Sequence, residues 1–333
     1  MAPVFSRGLT LRFLLILGAV SFLIGQSTAS LGDRLPDFKE CVQICETENC
    51  ENGKATLPLG LRLMLWTCSA ECDYTCQHVI TDRRVSRDPP MLDPVVQFHG
   101  KWPFRRILGM QEPFSVIFSF MNFYAHYHGI GRVRELIPES YPLRKYYLTF
   151  GYIGMASWVF SMIFHTRDFP LTEKADYFAA GASVLYGFYL AVIRIFRLDQ
   201  QNPPYKPTLR RFVTTLCLVL YALHVGYLNF WSWDYTYNMA ANVVIGSLQN
   251  LLWLSFSIVQ YRKYMVSWVA WPGMIVTWIM LTMSLELLDF APWSGLIDAH
   301  SLWHLGTVIP AAWWYMFLLK DAENDMMGAR LKA

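Results

Sequence analysis
The sequence has 333 residues, of which 54% are hydrophobic and only 16% charged, with a formal net charge of +3. Soluble domains carry about a quarter charged residues, so this chain lacks the polar groups to wet a globular surface. The small net charge, without a long basic block or a phosphate-gripping glycine loop, excludes nucleic acid as a partner.

Residues 1–29 fit a secretory signal peptide. Arg7 and Arg12 precede an apolar run from Phe13 to Ile24, and Ser27, Thr28 and Ala29 offer small residues for cleavage. A retained signal anchor is the alternative, although the run is short for a spanning helix. Either way, the segment that follows faces the lumen or the exterior. That segment, 30–101, holds six of the seven cysteines: Cys41, Cys45, Cys50, Cys68, Cys72 and Cys76. An even set in an oxidising compartment reads as up to three disulfides of open pairing, while the close spacings and nearby His78 also permit zinc. Cys217 lies in an apolar run and reads as a buried free thiol.

Runs of about twenty apolar residues mark spanning helices, and they fall at roughly 106–125, 146–166, 175–196, 209–230, 236–259, 266–288 and 300–319. Gln111, Glu112 and Pro113 interrupt the first. With a lumenal start, the cytosolic loops carry Arg132, Arg134, Arg144 and Lys145, then Arg194, Arg197, Lys206, Arg210 and Arg211, then Arg262 and Lys263. The lumenal loops carry only Arg167 and Lys174, and the C-terminal end, with Lys320, Arg330 and Lys332, falls in the cytosol. This is the positive-inside pattern, and 13 tryptophans and 18 tyrosines suit interfacial belts. The sequence therefore predicts an all-α membrane protein. A small disulfide-rich lumenal segment (30–101) precedes a seven-transmembrane-helix bundle (102–320), and a cytosolic tail (321–333) follows.

Ionisable groups within or at the end of a span require an explanation. His165 closes the second span, and His300 and His304 open the seventh. The last two are four residues apart, so both rings project from one helix face, the spacing by which helical histidines share zinc. Ser161 lies one turn before His165, and Asp176 begins the third span eleven residues after it. The topology thus brings His165, His300, His304, Ser161 and Asp176 to one membrane depth on one side. Three imidazoles with an open fourth position make a catalytic zinc site, where zinc lowers the pKa of bound water toward about 7. A carboxylate can shuttle a proton there, and a hydroxyl can steady an oxyanion.

This five-residue set, Ser-x3-His, Asp and His-x3-His, resembles the seven-helix membrane hydrolase superfamily that includes alkaline ceramidases and progestin/adiponectin receptors. The signal peptide, the six-cysteine segment, Phe98-His-Gly-Lys-Trp-Pro-Phe104 and Phe118-Ser-Phe-Met-Asn-Phe123 are similar to its Per-like branch of GPI-anchor remodelling. The resemblance implies zinc held by His165, His300 and His304, assisted by Ser161 and Asp176. It also implies a phospholipase that removes the sn-2 acyl chain from the lipid of GPI-anchored proteins. A ceramidase-type amidase and a non-catalytic lipid receptor are the alternatives. The endoplasmic reticulum membrane is the expected location, with the Golgi as the alternative.

Other polar residues have local readings. His99 faces the site or serves the interface, and His224 makes an interhelical hydrogen bond. His126 and His128 fall on the cytosolic side and are excluded as ligands. Glu286 and Asp289 hold imidazole N–H groups, bind substrate, or form interhelical contacts. Asp168 ranks behind Asp176 because it lies in a loop.

Overall fold
A computed structural model of the chain describes residues 30–50, 57–200 and 205–328. The signal peptide expected at 1–29 and the tail residues Arg330 and Lys332 lie outside the described residues. Among the described residues, the N-terminal part is a head of four helices: α1 (Leu31–Arg34), α2 (Pro36–Asn49), α3 (Leu59–Leu63) and α4 (Cys68–Val85). Cysteines near four-residue spacing line one face of α2 and one of α4. Antiparallel packing joins them as a nested ladder, Cys41–Cys76, Cys45–Cys72 and Cys50–Cys68. All six are therefore consumed in disulfides, which settles the zinc alternative for this segment. The head core is small, built on Phe38, Ile80, Val96 and Phe98. Bridges closing chain separations of 18, 27 and 35 residues supply what that core lacks, typically about 2–4 kcal/mol each.

Seven long helices follow: α5 (Pro113–Leu136), α6 (Arg144–Thr166), α7 (Pro170–Ile195), α8 (Pro207–Phe230), α9 (Tyr235–Tyr264), α10 (Trp271–Leu288) and α11 (Ala299–Met326). Proline stands in the first turn of α5, α7, α8 and α10, where its missing N–H has no helical partner to lose. Among the described residues, α6, α7, α8, α9, α11 and α10 with its preceding 3₁₀ turn (Ser267–Ala270) are long and apolar enough to cross a membrane. The protein is thus a helical membrane protein with a disulfide-bonded head.

The first expected span needs correction. It begins at Pro113 rather than near 106, because Ile107–Met110 is a turn with positive φ at Leu108 and Gly109. It then runs on to Leu136, so Arg132 and Arg134 belong to the helix and not to a loop. Its inward face is polar: Glu112, Ser115, Ser119, Asn122 and His126 recur at intervals of three and four residues, and all are buried. An apolarity count undervalues such a helix.

The helices α5, α6, α7, α9, α10 and α11 close into a ring, and α8 packs outside it, mainly on α7. The ring half remote from the head is a dense core that includes Tyr147, Leu190, Trp253, Trp314 and Phe317. It also buries the Arg194–Asp321 pair, whose Nε and Oδ2 are 2.6 Å apart, with Tyr147 donating to the same carboxylate at 3.2 Å. Close approach of α5 to α11 rests on Gly129, where an added Cβ would stand 2.3 Å from the Tyr315 ring. Pro310 interrupts α11 and frees the Gly306 carbonyl, which accepts the Trp278 indole N–H from α10 at 2.9 Å. The half of the ring near the head is where polar residues gather.

A strap over residues 97–112 joins head to bundle. His99 and Gly100, both at positive φ, form a tight turn closed by two bonds between Phe98 and Lys101, at 2.7 and 2.9 Å. Asp289 fastens the strap by accepting from Gln97 and from the Trp102 indole, each at 2.8 Å. The strap ends where the Gln111 and Glu112 amides donate to the Thr166 and His165 carbonyls, both at 3.0 Å, satisfying the open C-terminus of α6.

Candidate metal centre
His165 occupies the last turn of α6. His300 and His304 sit in the first two turns of α11, whose start is fixed by Asp298 accepting the Ser301 amide at 2.8 Å. A ligand atom from each of the three rings lies within 4.8 Å of the others. His165 and His304 are buried, and His300, with its side chain 36% exposed, marks the open side.

Each ring is held from behind through Nδ1. That of His165 lies 2.7 Å from Oε2 of Glu112, that of His300 lies 2.6 Å from Oε2 of Glu286, and that of His304 lies 2.9 Å from Oγ of Ser119. With the three Nδ1–H groups donating outward, Nε2 of each ring is left as a lone-pair donor. The Nε2 atoms of His300 and His304 are 3.1 Å apart. Two such lone pairs repel unless a cation or a proton stands between them. Nitrogens about 2.0–2.1 Å from a tetrahedral zinc stand about 3.3 Å apart, so the donor set fits that ion. The group can bind a metal.

Around it, Ser161 Oγ lies 3.0 Å from Ser119 Oγ, so Ser161 reaches His304 through Ser119 and not directly. Asp176 is half-buried on α7, within electrostatic range of His165 and His300, and has no hydrogen-bond partner among the described residues. Asp168 is drawn away to Lys101 at 3.0 Å. Lys101 also holds Oε1 of Glu112 at 2.5 Å. Burial works against its ammonium, but Glu112 and Asp168 outweigh that and raise its pKa above the usual lysine value. Asn122 donates to the His304 carbonyl at 2.7 Å, and the Trp158 ring stands edge-on to His304.

The remaining histidines are engaged elsewhere. His99 pairs with Asp73 at 2.9 Å within the head, His126 with the Tyr315 hydroxyl at 2.9 Å, and His224 with Tyr237 at 3.4 Å. His128 faces outward. Of the two acids left open in the sequence, Glu286 serves His300 while Asp289 serves the strap. Glu112 and Ser119 were missed as partners of the rings. The signal available was the polar stripe of α5, on which both lie.

The fold and the site together define a helical membrane protein with a disulfide head and a group of three histidines that could bind a metal. Residues 58–322 match the Per1-like family. Protein PER1 homolog of Schizosaccharomyces pombe is 41% identical over 313 residues, covering 93% of this chain and 92% of the relative. GPI-specific phospholipase A2-like PGAP3 of Homo sapiens is 35% identical over 320 residues, 95% of each. Protein PER1 of Saccharomyces cerevisiae is 34% identical over 341 residues, 88% of this chain and 93% of the relative. No solved structure matches the chain significantly. The chain belongs to the Per1-like family, the family of PER1 and of the GPI-specific phospholipase A2-like proteins.

Proposed function
We propose that this protein is a zinc-dependent acyl ester hydrolase that acts on the lipid of GPI-anchored proteins and removes the sn-2 acyl chain. The observation that carries the reading is the convergence of three imidazoles, with one ligand atom of each within 4.8 Å of the others and each ring fixed from behind by Glu112, Glu286 or Ser119. The relatives' name, GPI-specific phospholipase A2-like, supports the substrate class.

His165, His300 and His304 would hold zinc, which when bound supplies Lewis-acid polarisation of the ester carbonyl and a more acidic water. The carboxylate of Asp176, within electrostatic range of His165 and His300 and without a hydrogen-bond partner among the described residues, takes the proton of the attacking water and returns it to the departing glycerol oxygen. The Ser161 hydroxyl donates to the carbonyl oxygen as negative charge grows there. Glu112 and Glu286 keep the rings in the tautomer that presents Nε2. Products are a lyso-GPI protein and a free fatty acid.

The head lies at the lumenal side of an endoplasmic reticulum membrane in this reading, with the C-terminus in the cytosol. Disulfides require an oxidising compartment. The end of the bundle remote from the head carries Arg132, Arg134, Arg144 and Lys145, as the positive-inside rule asks of the cytosolic face.

The test is elemental analysis of detergent-purified protein beside a His300→Ala, His304→Ala double variant, followed by hydrolysis of GPI lipid and of ceramide. About one zinc per chain, lost in the variant, with release of fatty acid from GPI lipid alone, is the expected result. Wild-type protein without zinc refutes the metal reading. Turnover of ceramide in preference to GPI lipid refutes the substrate.

A further inference from the structure
The Lys101 side chain comes from the strap and not from a bundle helix, yet it reaches the back of the metal-binding group. Its Nζ is 2.5 Å from Oε1 of Glu112, whose other oxygen is 2.7 Å from Nδ1 of His165. The same ammonium lies 3.0 Å from Asp168 and 4.0 Å over the Phe164 ring. Glu112 and His165 are almost wholly buried, with side chains 5% and 3% exposed.

A lone carboxylate in that setting would be costly to keep charged, and the Lys101 ammonium is what makes its charged form tenable. The direction of the Glu112 carboxyl is also decided by Lys101. With one oxygen pinned to the ammonium, the other is aimed at the imidazole.

The place of Lys101 is in turn set by the head. Phe98, 1% exposed, is a core residue there, packed 4.7 Å from Phe38 and directly against Gly32. The His99–Gly100 turn then reverses the chain, with the Gly100 amide donating to Ser30 at 2.7 Å and the His99 amide to Asp33 at 2.8 Å. One residue later Lys101 points into the bundle.

We propose that Lys101 is a positioning residue of the metal centre, acting through Glu112 on His165, so that the disulfide head is a structural part of the site. The inference rests on the metal reading above and goes beyond it. It assigns a role to a residue outside the histidine set and makes the site's completion depend on a folded head. Loss of Lys101 leaves the Glu112 carboxylate without its cation and free to turn from His165. The ring then loses its fixed orientation, and zinc affinity falls.

The test is a double-mutant cycle in detergent-purified full chain: wild type, Lys101→Met, Glu112→Gln and the double variant, with Lys101→Arg as the charge-preserving control. The primary readout is the zinc dissociation constant by competition with a chelator. Head disulfide content and unfolding temperature are measured beside it, so that collapse of the head is seen separately.

Loss of an outer hydrogen-bond partner typically weakens metal binding by about 10- to 100-fold. Lys101→Met is expected to show that loss with disulfides intact, and Lys101→Arg to recover most of it. In the Glu112→Gln background, Lys101→Met is expected to change affinity by less than about twofold, because coupled residues do not add. Equal losses in both backgrounds would overturn the inference, as would wild-type affinity in Lys101→Met. If Lys101→Met does not accumulate, the charge-balanced double variant against Glu112→Gln decides the matter. Equal affinity supports the chain through Glu112, and a further loss overturns it. A wild type that binds zinc regardless of Lys101 sinks this inference alone, whereas a wild type that binds none sinks it together with the metal reading.

Discussion
Glu286→Ala tests the support of the proposed metal centre at its most accessible point. The carboxylate accepts the Nδ1–H of His300 at 2.6 Å, the one hydrogen bond of that nitrogen among the described residues. Hydrogen bonds to charged groups contribute about 1.5–3 kcal/mol, equivalent to roughly 10- to 150-fold in a binding constant. The side chains of His300 and Glu286 are 36% and 21% exposed, so water replaces part of what is lost. The lower part of the range is therefore expected, about 10- to 30-fold weaker zinc binding. Glu286→Gln keeps an acceptor of the same shape without the charge, and neutral bonds are about half as strong, so it should fall between wild type and Ala. Competition with a chelating dye in micelles reads the affinity, and far-UV circular dichroism controls for folding. A folded Glu286→Ala protein with wild-type affinity would refute the reasoning, as would a Gln variant weaker than the Ala one.

Trp278→Phe leaves the Gly306 carbonyl, already without a helical partner because of Pro310, with no donor. Thermal unfolding in micelles should show a loss of about 1–3 kcal/mol without loss of zinc. Gly129→Ala drives a methyl into the Tyr315 ring, itself bonded to His126. Overpacking of this kind costs about 1–3 kcal/mol, whereas Gly60→Ala, inside α3 with nothing within 4 Å of the added carbon, should show no loss and a gain of up to about 1 kcal/mol in the same measurement.

For pH, the Asp73 carboxylate, accepting the Nε2–H of His99, raises the His99 pKa above its ordinary value. The stability this pair gives the head is fully present below about pH 6.5 and fades as pH rises through the folded-state pKa. The gap in unfolding temperature between wild type and His99→Gln should therefore narrow from acid to alkaline pH, and a constant gap would refute the assignment.

Much of the bundle is legible in the sequence because lipid imposes length and apolarity on a spanning helix. The apolar runs locate α6 to α11 to within a few residues, apart from ends such as that of α11, whose polar last turns run on to Met326. The face of a helix is legible too. Four-residue spacing puts His300 with His304 and Ser161 with His165, and the fold brings the three histidines together. The start of α5 is not legible by the same rule, because its buried stripe is polar and its apolar residues face outward. Partnerships across helices are hidden as well. Nothing local distinguishes Glu286, which holds an imidazole, from Asp289, which holds the strap. Asp168 and Asp176 differ for the same kind of reason, since only the folded chain puts Lys101 beside the first and leaves the second free.

The polar stripe of α5 has a consequence for how the protein is made. A helix bearing Glu112, Ser115, Ser119, Asn122 and His126 on one side cannot rest alone in hydrocarbon, where unpaired polar groups are strongly disfavoured. Its partners are α6, synthesised next, and α11, synthesised after the other six, which brings His304 to Ser119, Thr307 to Asn122 and Tyr315 to His126. Until α11 has been made, α5 has an open seam. Assembly of the ring is therefore circular, with the seventh long helix sealing the first of the seven, and a chain truncated before α11 would expose a polar groove for membrane quality control to find.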